Sequence, residues 1–211
     1  MPRPNRILFP GGLYHVSNQG AEPLFRDDGD RLHWITLLRE IKEAYGIKIL
    51  AYCLRPQRYH LVLQTPEADL DKVMEKLSRA YSRYFNEKYQ RRGRLYQGPY
   101  RAKLVQKDRY LLPLLKYVHL NPEWSSHAYY LGQKADMLVD TASVLASFHP
   151  EPDQARSHYQ AFLLLPLPKK EFKRLDSLRN GVLGDLSLIL PALPADSFSA
   201  PDEVRAAAPH N

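Results

Sequence analysis

The alternation of apolar and polar positions predicts a short series of strands and helices. Residues 13–18, LYHVSN, alternate and stop before Gly20, the pattern of a half-buried strand. Over residues 27–45 the period becomes helical. Leu32, Ile35, Leu38, Ile41 and Tyr45 form one stripe, Asp27 or Asp28 supplies a cap, and Gly46 supplies a stop. Residues 47–54, IKILAYCL, and 58–65, RYHLVLQT, read as strands on either side of Pro56. So short a link makes them antiparallel, because a parallel crossover takes about a dozen residues or more. A second helix follows Asp69 or Asp71, with Leu70, Val73, Met74, Leu77, Tyr81 and Phe85 at helical spacing. Residues 101–106, RAKLVQ, read as a further strand. A third helix then runs from Asp108 to about Leu120 and ends at Asn121-Pro122, with a kink expected at Pro113. Strand, helix, strand, strand, helix, strand is the split βαβ order of a ferredoxin-like α+β fold, an antiparallel sheet with helices on one face. These elements define an expected domain over residues 1–125. A C-terminal helical extension is expected over 126–189, with short helices at 158–165 and 170–178. The prolines and small residues from 190 to 211 suggest a disordered tail.

Composition narrows the class. The chain has 211 residues, 44% hydrophobic and 25% charged, with no apolar run near the ~18 residues of a membrane helix. The opening MPRPNRILFPGG has no apolar stretch of signal-peptide length, so the expectation is a cytoplasmic protein without a membrane partner. The single Cys53 excludes an internal disulfide and a Cys-rich zinc site.

Charge says more by its placement than by its amount. The net charge is +7. Lys88, Arg91, Arg92, Arg94, Arg101, Lys103 and Lys107 alone sum to +7, with no acid between them. Gly93, Gly98 and Pro99 make this segment turn-rich, so it is expected to project from the scaffold. Tyr89, Tyr96 and Tyr100 are interleaved with the cations, a combination suited to base stacking and phosphate contact in single-stranded nucleic acid. Within 58–65, alternation puts Tyr59, Leu61 and Leu63 on one face and Arg58, His60, Val62 and Gln64 on the other. Tyr117 and Asn121 are four residues apart on one side of the third helix, and His119 faces elsewhere.

FPGGLYHVSNQG at 9–20, PLFRDDGDR at 23–31, AYCLRPQRYHLVLQTP at 51–66, RLYQGPYRAKLVQKDRYLL at 94–112 and KYVHLNP at 116–122 come in the order and spacing of the REP-associated tyrosine transposases. Over about residues 3–125 the chain therefore resembles the HUH-type single-tyrosine transposase superfamily. The resemblance implies a protein that binds hairpin-forming single-stranded DNA, as a monomer or a homodimer. It implies a catalytic tyrosine that attacks a phosphodiester, forms a 5′-phosphotyrosine and leaves a 3′-hydroxyl. Tyr117 matches that tyrosine. A divalent cation, Mg²⁺ or Mn²⁺, is held in the family by a His-hydrophobe-His pair, and Asn121 matches a further ligand. A phenol with a pKa near ~10 needs such help to act as a nucleophile.

This chain departs from the pattern at the metal. The pair falls on Arg58 and His60, and a guanidinium offers no lone pair to a metal. Gln57-Arg58 stands where Asn-His is common, Gln19 where Arg is common, and Gln64 where Glu is common. Three readings follow from the residues. The protein cuts with a metal on His60, Asn121 and His15; Arg58 stands in for the cation; or the protein binds DNA hairpins without cutting and needs no cofactor. The DNA-contacting set under all three is Arg58, Arg91, Arg92, Arg94, Tyr96, Tyr100, Arg101 and Lys103.

Overall fold

A computed structural model describes residues 6–120, 123–177 and 181–186. The elements are β1 (Leu13–Gln19), α1 (Asp28–Tyr45), β2 (Lys48–Arg55), β3 (Arg58–Gln64), α2 (Leu70–Lys88), β4 (Arg101–Val105), α3 (Lys107–His119), α4 (His127–Tyr130), α5 (Ala142–Leu145), α6 (Pro152–Leu164), α7 (Lys169–Asp176) and β5 (Gly181–Leu183). Asn121 and the segment expected as a tail, 190–211, lie outside the described residues.

Local chemistry explains the main boundaries. Asp27 caps α1 with a reciprocal box: its carboxylate accepts from the Asp30 N–H, and Asp30 accepts from the cap. Such a cap contributes about 1 kcal/mol. Gly46 ends the helix in the left-handed region at φ 61°, which glycine adopts without a Cβ penalty. The β2–β3 link is Pro56-Gln57, and the two strands pair antiparallel as expected.

The strand order is β2-β3-β1-β4-β5. The first four strands pair antiparallel in the ferredoxin-like arrangement. β5, absent from the sequence reading, adds one parallel pairing on β4. Cys53 on the opposite edge forms a bridge with Ser125, and Leu54 N–H bonds the Trp124 carbonyl. Chain beyond the four-stranded core thus covers both edges of the sheet, which would otherwise expose unpaired backbone groups.

Helices lie on both faces, where the sequence placed them on one. Tyr59 packs against Trp34 of α1, and α1 packs on α2. The other face of β1 and β3 carries His15 and His60, which meet Tyr117 of α3. α3 passes over β2 and β3, and α7 lies beside it. Pro113 sits inside α3 without ending it, and Tyr117 remains in register with the sheet. The extension is more structured than the pattern indicated. α4 and α5 were not expected, and α6 begins six residues before the expected 158 because Pro152 occupies its first turn.

Candidate active site and nucleic-acid interface

β1 and β3 bring His15 and His60 to one face because Ser17 pairs with His60 and His15 with Val62, so the two rings are diagonal neighbours. The rings stack with centroids 5.3 Å apart, and His15 Nε2 lies 3.1 Å from His60 Nδ1. His60 Nε2 is 3.4 Å from the Tyr117 hydroxyl. That hydroxyl donates to Asp176 Oδ1 at 2.6 Å. Arg58 Nη1 approaches the same oxygen at 3.4 Å, and its Nη2 donates to Gln19 Oε1 at 3.2 Å.

Assigning one proton to each bond gives a single direction. Tyr117 spends its proton on Asp176, so His60 Nε2–H donates to Tyr117, and His15 Nε2–H donates to His60. His15 Nδ1 is then a buried lone pair with no partner among the described residues.

The electrostatics are those of a buried, cation-rich site. Burial lowers His15 to about 3, with Lys103 adding to the shift. Burial, then His15 and the cations Arg55, Arg58 and Lys103, hold His60 well below the usual histidine value. Both rings are neutral at pH 7. Burial, followed by the hydrogen bond and charge of Asp176, pushes the Tyr117 phenol up. Lys103 is buried on the same face and donates to the Arg174 and Leu175 carbonyls at 2.7 and 3.3 Å. Burial pulls its ammonium down to about 8, and Asp176 opposes that shift.

α7 forms the roof of this site. Phe172 meets the Tyr117 ring edge-on at 5.5 Å, Leu175 is buried, and Arg174 bonds the Tyr110 hydroxyl of α3 at 2.5 Å. Tyr117 is 0% exposed beneath it. The sequence reading gave Asp176 no role; it lies 59 residues from Tyr117 in the chain.

Among the described residues, the side chains do not fit the divalent ion that the resemblance implies, and Asn121 lies outside them. Arg58 holds one ligand position and offers only donors. Both nitrogens of His60 are engaged. His15 Nδ1 diverges from the side of its ring that faces His60, so an ion there could not be shared with His60. Asp176, the carboxylate at this site among the described residues, is already taken by Arg58 and Tyr117. Among the described residues, no three His, Cys, Asp or Glu side chains cluster to hold a metal.

The basic segment is not the projecting arm expected. Leu95 is buried, Ala21 N–H bonds its carbonyl, and Gln97 N–H bonds the Gln19 carbonyl. Residues 95–97 thereby continue the line of β4 beside the end of β1. Its cations divide into two groups. Lys88 pairs with Asp27 and Asp30, Arg91 pairs with Glu22 at 2.7 Å, and Lys103 is buried under α7. The side-chain charges of Arg92, Arg94, Arg101 and Lys107 have no partner among the described residues.

The tyrosines are packing groups in this structure. Tyr96 meets Tyr59 edge-on, with its hydroxyl buried and unpartnered among the described residues. Tyr100 is buried, its hydroxyl bonds Asp71, and Arg6 covers its ring at 3.9 Å. Beside Arg101 lies a polar pocket of ≈ 170 Å³ lined by Ser17, Asn18, Gln19, Gln97, Gly98 and Pro99. A larger groove of ≈ 700 Å³ lies between α1 and α2, on the other side of the sheet from Tyr117.

The departures Gln19 and Arg58 are partners of one another: they face each other in the β1–β3 register and share a hydrogen bond. Gln64 donates to the Gly11 carbonyl at 2.8 Å, a bond that an ionised glutamate could not make.

Comparison with known proteins gives two findings. Residues 19–121 match the family model described as Transposase IS200 like. The fold is similar to the solved structure of a REP-associated tyrosine transposase bound to a REP hairpin, with a TM-score of 0.53 and 14% identity over 67% of this chain and 96% of that one. No curated protein matches the chain.

Proposed function

We propose, from the match of residues 19–121 to the family model described as Transposase IS200 like, that the chain is a member of that family, recognises single-stranded DNA folded into a hairpin and joins to it through Tyr117. The observation that carries this reading is the Tyr117 hydroxyl, held 2.6 Å from Asp176 and 3.4 Å from His60 beneath the Arg58 guanidinium. The protein whose fold is similar was solved bound to a REP hairpin. Arg92, Arg94 and Arg101 are the cations, unpartnered among the described residues, that would meet the DNA backbone. No helix among the described residues is long and apolar enough to cross a membrane.

Tyr117 lies under Phe172 and Asp176, so DNA reaches it only when α7 is displaced. The phenol proton, no longer given to Asp176, then turns to His60 Nε2, and the donor chain through His15 reverses. Attack of the Tyr117 oxygen on phosphorus forms the Tyr–O–P bond and breaks the P–O3′ bond. The proton passes through His60 to the departing 3′-oxygen, which leaves as a hydroxyl.

A second reading, binding without cutting, is favoured by the complete burial of Tyr117. The shared claim is tested by titrating the protein against a labelled DNA hairpin with a single-stranded flank, a same-sequence RNA hairpin and an unstructured strand. Tighter binding of the DNA hairpin, falling steeply with salt, is expected. Equal affinity for all three would refute hairpin recognition, and a preference for the RNA would move the function to RNA binding.

A further inference from the structure

We propose that the floor of the Tyr117 site, formed by Arg58 and Lys103 beside His60, is a phosphodiester-anion site that works without a divalent metal. This rests on the reading that the site takes DNA, and it concerns how the scissile phosphate is held there.

The Asp176 carboxylate shows that an anion fits this position. Its Oδ1 lies between the Tyr117 hydroxyl and Arg58 Nη1, where an incoming phosphate oxygen would meet the nucleophile. The charge present favours an anion over a dication. Arg55, Arg58 and Lys103 all act on His60, and Arg55 stands 5.8 Å from the Tyr117 ring centre. Arg58 and Lys103 against Asp176, the carboxylate at this site among the described residues, leave a surplus of one positive charge. A phosphodiester carries one negative charge and meets it favourably, whereas a divalent ion is repelled by it.

The geometry of Arg58 suits the role. Gln19 holds Nη2, so the planar guanidinium is oriented before any ligand arrives, and its fork matches two phosphate oxygens. Lys103 is held in reserve. Its ammonium is spent on two α7 carbonyls, and displacing α7 frees it for the same anion that displaces Asp176. A nearby anion also favours the charged ammonium, which burial disfavours.

The test uses the full chain and two readouts that do not need cleavage. Electron paramagnetic resonance of Mn²⁺ titrated into the protein should show no His60-dependent binding, and Arg58→His should create such a site. Affinity for a hairpin with a single-stranded flank should be unchanged by a chelator and fall about 10- to 100-fold with Arg58→Ala, as expected for removal of a charge-assisted hydrogen bond. Lys103→Gln should weaken the same complex, and a hairpin without the flank should respond to neither change. A native Mn²⁺ site abolished by His60→Ala, chelator-sensitive binding, or an Arg58→Ala protein with native affinity would overturn the proposal. Absence of hairpin binding by the native chain would instead remove the DNA reading, and this inference with it.

Discussion

Tyr117 and His119 sit two residues apart on α3, yet they belong to networks of opposite character. On one side of the helix, His119 Nε2 meets Ser126 Oγ at 2.7 Å and Nδ1 meets the Tyr159 hydroxyl at 2.8 Å. Tyr159 also meets His127 Nδ1 at 2.9 Å, and Ser126 Oγ is tied to the Tyr52 backbone. Both nitrogens of His119 have partners, and the rings pack around Tyr130. On the other side, Tyr117 heads a chain of the same residue types that ends on an orphaned His15 nitrogen and is surrounded by arginines and a lysine. A satisfied network contributes rigidity; a network with an orphan atom and surplus charge stores the capacity to bind something.

Variants should separate the two sides. The largest effect expected is Tyr117→Phe, which removes all covalent joining to a flanked hairpin while hairpin affinity stays within a few fold; an adduct that survives would take the nucleophile role away from Tyr117. Next comes the triple change of Arg92, Arg94 and Arg101 to Ala. It should reduce the slope of log affinity against log salt by about 2–3, near 0.7–0.9 for each phosphate no longer neutralised, and an unchanged slope would clear the segment of any role.

On the structural side, Tyr159→Phe leaves His119 and His127 short of a partner and should cost about 1–3 kcal/mol in denaturant unfolding, with hairpin affinity retained. Acid acts on both networks. Burial holds His15 and His119 at about 3, so between pH 6.5 and 3 the unfolded chain binds protons that the folded chain refuses. Stability therefore falls as pH drops through that window, on the order of 1 kcal/mol per pH unit for each ring. A flat stability profile from pH 6.5 to 4 would show that the rings are not buried neutral. The smallest effect expected is Tyr96→Phe. Its hydroxyl has no partner among the described residues, so the change should leave both stability and affinity nearly untouched. A clear loss of DNA binding would restore Tyr96 as a DNA contact.

Periodicity made the four-stranded sheet and the first three helices readable, because each buries one face along its own segment. Alternation in β3 placed Arg58 and His60 together, and the helical spacing placed Tyr117 and His119 on different sides of α3. What stayed hidden depends on contacts between distant segments. β5 is three residues long and pairs only because the β4 edge is available. Asp176 reaches Tyr117 by the docking of α7, which no local pattern encodes. His15 was not hidden: the metal reading named it beside His60, and the two share a face of adjacent strands. The basic segment was expected to project because composition does not reveal that Leu95 and Asp71 anchor it.

The most direct test of Tyr117 as the joining residue is to incubate the native protein with a flanked DNA hairpin, digest any covalent product and locate the modified residue by mass spectrometry. The expected product is a 5′-phosphate diester on Tyr117, with a free 3′-hydroxyl on the released strand. A phosphate on any other residue, or hairpin binding with no covalent product under any metal condition, would contradict that role.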